Sequence, residues 1–73
     1  MARVLHLLKS DDPLALSLAD EQRAAGDEVT LVLLPGAPDI VPPAGVSRHC
    51  VPAELSWEAL LERIFEADQV ITW

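Results

Sequence analysis

Three observations predict a small parallel α/β domain, a sheet of about four strands reached in the sequence β-α-β-loop-β-α-β, with helices on its faces. Val4 to Leu8 and Asp27 to Leu34 are nearly continuous apolar runs, the pattern of strands covered on both sides rather than wet on one. Between them, Asp12-Pro13 and Gly26 supply a start and a stop for one helix. After a proline-rich interval, an amphipathic helical stretch from Ser56 leads into a final apolar segment, Gln69 to Trp73.

The first strand, Arg3 to Leu8, is broken in its apolar character only by His6, which favours a central place in the sheet. Asp12 can cap the following helix with its carboxylate. Pro13 suits the first helical position, where its missing N–H is not needed, and Gly26 can close the far end in a left-handed turn. Within helix Pro13 to Ala25, the expected buried stripe is Leu14, Leu18 and Ala25, widened by Ala15 and Leu16, with Asp20, Glu21 and Arg23 on the wet side. Strand Asp27 to Leu34 then completes a right-handed crossover unit.

Pro35 to Gly45 holds four prolines and two glycines, too many for a regular element, and is expected to be a loop. A crossover helix would stand here in a longer α/β protein, so the loop is expected to leave part of the sheet poorly covered. Val46 to Val51 reads as a short third strand that stops at Pro52, whose ring removes a ladder donor. Ser56 caps the second helix. Trp57, Leu60, Leu61 and Ile64 form its apolar side at helical spacing, and Glu58, Glu62 and Glu66 line another face. Gln69 to Trp73 is the last strand.

The 73 residues are read as a single domain, 1–73, and 51% of them are hydrophobic. A chain of this size buries only about 60% of the surface it exposes when unfolded. An oligomer, of like or unlike chains, is therefore expected. Five Lys and Arg stand against twelve Asp and Glu, a net charge of −7, which disfavours nucleic acid and anionic membranes as partners. The single cysteine, Cys50, cannot close an intramolecular disulfide. No signal-like N-terminal pattern is seen, and a cytoplasmic location is expected. No apolar run approaches the roughly 20 residues of a bilayer span.

Four places could carry chemistry. Asp11 and Asp12 follow the carboxyl end of the first strand, where open α/β sheets place their ligands, and an acidic pair there could hold Mg²⁺. Capping of the helix is the preferred reading, and neither a metal nor a cofactor is expected. Lys9 and Ser10 lie beside a helix N-terminus, but the aspartates oppose an anion and no glycine-rich loop accompanies them. His6, inside an apolar strand, is read first as a satisfied core histidine and second as a catalytic group. Cys50 with His49 could form a thiolate–imidazole pair, with His6 as an alternative helper. Adjacent strand residues point to opposite faces, however, so Cys50 is read first as a small apolar filler.

Three stretches together resemble a known family. The opening VLHLLKSDDP is similar to the "LHL-x-x-KS-P" start of the DsrH and TusB proteins, small α/β subunits of the DsrE/DsrF/DsrH and TusBCD sulfur-relay complexes. GDEVTLVLLPGA resembles their second-strand segment, and LSWEALLERIFEADQVITW resembles their closing helix followed by D-x-V-x-x-W. The resemblance implies a shortened DsrEFH-like fold and association with DsrE/TusD-like and DsrF/TusC-like subunits. It further implies an accessory role in moving persulfide sulfur, towards tRNA thiolation or in sulfur oxidation. In that family the established sulfur-carrying cysteine belongs to the DsrE or TusD type of subunit. DsrH-like chains that have a cysteine of interest carry it near the first helix. Positions Leu14 to Ala19 hold none here, and Cys50 falls on no family motif, so the carrier role does not pass to it by resemblance. A sulfur carrier using Cys50, or a small-ligand or metal module at Ser10 to Asp12, are the alternatives.

Overall fold

The computed structural model describes residues 1–73. Its elements are β1 (Arg3–Leu8), α1 (Pro13–Ala24), β2 (Glu28–Leu33), β3 (Ser47–Cys50), α2 (Trp57–Glu66) and β4 (Gln69–Thr72). The strands form one sheet in the order β3-β2-β1-β4, and every neighbouring pair is parallel. This is the α/β class, strand number and strand direction that the apolar runs predict. The step from β1 to β2 runs across the sheet in one direction and the step from β3 to β4 in the other. Right-handed connections therefore place α1 and α2 on opposite faces.

Side chains alternate between those faces as the pleat requires. On the α1 side, Val4, Leu8, Val29, Leu31 and Leu33 pack with Ala15 and Ala19. On the α2 side, Leu5 and Val32 pack with Val51, Leu55 and Leu60. β1 and β2 take part in both clusters, which is why their sequences are apolar throughout.

The caps form as the sequence indicates. Asp12 Oδ1 accepts the Leu14 N–H at 3.0 Å, Pro13 opens α1, and Gly26, at φ +97°, donates its N–H to the Arg23 carbonyl at 2.9 Å. Ser56 Oγ accepts the Ala59 N–H at 3.1 Å at the start of α2.

Three expectations about coverage are corrected. First, α1 presents Ala15 and Ala19, both fully buried, and half-buried Gln22 to the sheet, whereas Leu14 and Ala25 are exposed. At 100° per residue, Leu14 stands about 100° round the helix from Ala15. A contact line of small side chains brings the helix close to the strands and leaves the larger leucine outside. Second, on α2 it is Leu60 that is buried and Ile64 that is half-buried, while Trp57 and Leu61 are exposed together with Phe65. Third, the segment between β2 and β3 does cover the sheet. Ile40 and Val46 are buried in the α1-side cluster and Ala37 packs against it.

Arg48 ties that segment down. Its guanidinium donates to the Asp39 carboxylate and to the Ile40 carbonyl at 3.1 Å. Gly45, at φ +83°, meets the Arg23 side chain so closely that a Cβ there would collide with it. Irregular backbone thus takes the place of the missing crossover helix, anchored by side chains rather than by a hydrogen-bond ladder.

Candidate functional site

The carboxyl end of β1 is built for capping. Lys9, Ser10 and Asp11 are exposed, the Asp12 carboxylate is used by the first turn of α1, and no group of three or more His, Cys, Asp or Glu side chains converges anywhere in the chain.

Cys50 ends β3 and is half-buried. It lines an open cleft of about 250 Å³ with Leu33, Leu34, Pro35, Pro38 and Val51, at the strand ends where α/β proteins gather their functional groups. Its immediate environment works against a nucleophile. Glu54 lies four residues on, and its Oε1 accepts the Cys50 backbone N–H at 3.1 Å. The proximity of the same carboxylate to the thiol pushes the Cys50 pKa up, and burial adds to it. The neighbouring thiol and the Cys50 backbone N–H in turn hold Glu54 below the usual carboxylate range.

The histidines do not repair this. Cys50 is paired with Leu33 and His49 with Val32, and those two β2 residues belong to opposite faces of the sheet. His49 thus points away from the thiol, as pleat alternation requires. His6 shares the Cys50 face but sits on β1, with β2 in between, and two strand spacings come to roughly 10 Å. Replacing Glu54 with glutamine removes the nearby charge while keeping the side-chain length. Glu54→Gln is expected to lower the Cys50 pKa, so alkylation by iodoacetamide should speed up several-fold at pH 8 and its pH profile should move to lower pH. An unchanged profile would show that Glu54 does not control the thiol.

His6 has no accessible surface, and both ring nitrogens are engaged. The Trp73 indole Nε1–H donates to His6 Nδ1 at 2.9 Å. Because an indole nitrogen can only donate, Nδ1 must be the acceptor, and the ring proton lies on Nε2. That nitrogen is 2.7 Å from Gln22 Oε1, so the amide oxygen accepts and α1 is joined through His6 to Trp73. The two rings also stack, with centroids 6.0 Å apart and planes 22° from parallel.

The same strand is held at its other end by Asp68. Its Oδ2 accepts the Arg3 N–H at 2.7 Å, and its own N–H donates to the Arg3 carbonyl at 2.8 Å. Asp68 and Trp73 thus bracket β4 and fasten it along β1. In D-x-V-x-x-W the aspartate and the tryptophan are the two clamps of an edge strand, and the histidine of L-H-L receives the second.

Sequence reasoning missed Gln22 and Glu54. Gln22 carries a signal, since it falls seven residues after Ala15 on the buried side of α1. Nothing in the sequence marks Glu54, which acts through a turn after β3. A second hollow, about 210 Å³, opens at the amino end of the sheet between Arg3, Glu28, Thr30, Arg63 and Glu66. Its charges largely satisfy one another, with Arg3 at 3.5 Å from Glu28 and 3.8 Å from Glu66. No helix is long and apolar enough to cross a membrane. Comparison of the chain with family models, curated proteins and solved structures finds no match.

Proposed function

We propose that this chain is an accessory, assembly-forming subunit of a cytoplasmic sulfur-relay system of the DsrH/TusB kind, working beside DsrE/TusD-like and DsrF/TusC-like subunits that handle the persulfide. The observation that carries the reading is the meeting of the two most widely separated parts of the resemblance. His6 of the L-H-L stretch accepts from Trp73 of the D-x-V-x-x-W stretch across 67 positions. A chance likeness of short motifs would not require their named residues to bond. The arrangement also accounts for why such residues would mark a scaffold rather than a catalyst, because both imidazole nitrogens, the indole N–H and Asp68 Oδ2 are engaged in bonds that hold α1 and β4 to β1.

The test is light scattering on the purified chain, alone and after co-expression with DsrE- and DsrF-type proteins. A defined hetero-oligomer is expected, and a chain that remains monomeric with all of them would remove the reading.

A second reading, a sulfur carrier using Cys50, is favoured by one observation, the place of the thiol in a cleft at the carboxyl ends of β2 and β3. The raised pKa of the thiol and the averted His49 argue against it. Intact-mass measurement after incubation with a cysteine desulfurase and cysteine is expected to show no added sulfur. An adduct that disappears in Cys50→Ser would transfer the carrier role to this chain.

A further inference from the structure

Three large apolar side chains are left open on one flank of α2. Trp57 is 56% exposed, Leu61 55% and Phe65 82%. Spaced four residues apart, they form one line along the helix. The opposite flank of α2 carries Arg63 and Glu66, which line the hollow shared with Glu28 and Thr30 of β2. The apolar line must then face the other way, over β4, whose Val70 is 37% exposed. Val70 is in register with Leu5, so it stands on the α2 side of the sheet. β4 itself pairs with β1 alone, and no lysine or proline guards its free edge. The four side chains expose roughly 400 Å², a size at which patches on monomers are generally used for binding.

Charge decides what covers them. On the solvent side of the apolar line run Glu58 and Glu62, both exposed and neither in an ion pair. Of the five basic residues, Arg3, Arg23 and Arg48 are already paired with acids, Arg63 lies on the opposite flank of α2 in the hollow, Lys9 stands at the far end of β1, and the chain carries −7 overall. A second copy would therefore bring glutamates against glutamates. We infer that this flank receives a helix of a different protein, one whose apolar stripe is edged by Lys or Arg, lying along α2 above the β4 edge. The inference rests on the assembly half of the function proposed above and is independent of the sulfur chemistry.

The test uses two 18-residue amphipathic helical peptides with the same leucine stripe, one edged by lysine and one by glutamate, titrated into ¹⁵N-labelled protein. The lysine peptide is expected to shift amide signals of α2 and β4 and to bind at least tenfold more weakly in 0.5 M salt. The glutamate peptide is expected to leave the spectrum unchanged. Glu58→Lys/Glu62→Lys should reverse the preference, and Phe65→Ser should weaken binding about tenfold or more, whereas Leu14→Ser on the other face should not. These are exposed positions, so the variants test contact rather than folding. Equal binding of the two peptides, shifts outside α2 and β4, no binding at all, or a concentration-dependent dimer that masks the α2 signals would each overturn the inference. A hetero-oligomer that persists in Phe65→Ser and Glu58→Lys/Glu62→Lys would overturn it while leaving the proposed function standing.

Discussion

His6→Ala is expected to destabilise the chain by about 3 kcal/mol. The substitution strips the Trp73 indole N–H of its acceptor and Gln22 Oε1 of its donor, both at good distance, and it leaves a ring-sized void at a position with no accessible surface. A domain of this length has a total stability of about 4–10 kcal/mol, so the midpoint of thermal unfolding should fall by on the order of 15 °C. The loss should also be unevenly spread. β4 is held at one end by Asp68 and at the other by Trp73, and only the second clamp is cut, so amides of Val70 to Trp73 should lose exchange protection before those of β2. His6→Asn is the comparison that separates hydrogen bonding from volume. Its carboxamide oxygen can stand near the Nδ1 position and keep the indole partner, while the bond to Gln22 goes. It should fall between wild type and His6→Ala in urea unfolding. If His6→Ala costs less than about 1 kcal/mol, or His6→Asn is the worse of the two, the network does not hold the edge strand.

The same histidine shows how far the sequence could be read. An apolar run broken by one polar residue identifies a buried strand and makes a satisfied core histidine the natural reading. The partners, however, come from α1 and from the far end of the chain, and separations of 16 and 67 residues leave no local pattern. The fold class was legible because strands covered on both faces need unbroken apolar runs, and because Asp12-Pro13, Gly26 and Ser56 act locally on their own helix ends. Cys50 and His49 were legible as an averted pair for the same reason, since pleat alternation is a two-residue rule. Glu54 was not, because its grip on the thiol depends on the shape of the turn after β3.

The surface was less legible than the core. Helical periodicity marks an apolar side for α2 but does not say how wide a contact the sheet offers. Trp57, Leu61 and Phe65 fall outside it because α2 lies over β1 with only one more strand, β4, beyond. In a wider sheet the next helix would cover that flank. The proline-rich segment failed in the opposite sense. Composition excludes a regular element there, yet Ile40 is an apolar residue with a burial signal of its own, and Arg48 supplies an anchor visible only once Asp39 and Ile40 fold over it.

Two leucines that a pattern-based reading would rank alike should behave very differently when cut to alanine. Leu31 has no accessible surface. It lies on β2, flanked in register by His6 and Arg48, and packs under the small residues Ala15 and Ala19. Helix and strand are each fixed by hydrogen-bonded ends, so little can move into the space, and Leu31→Ala is expected to cost about 3–4 kcal/mol, the upper part of the range for buried leucines. Leu14, which helical spacing assigns to the core of α1, is 71% exposed and should change stability by less than about 0.5 kcal/mol as alanine, since its position contributes helix propensity and little packing. Urea unfolding of both variants, followed by circular dichroism, decides the matter. Comparable losses would mean that α1 packs on the sheet through its leucines and not through Ala15, Ala19 and Gln22. The Gln22–His6–Trp73 connection depends on that helix rotation, so it would fall with it.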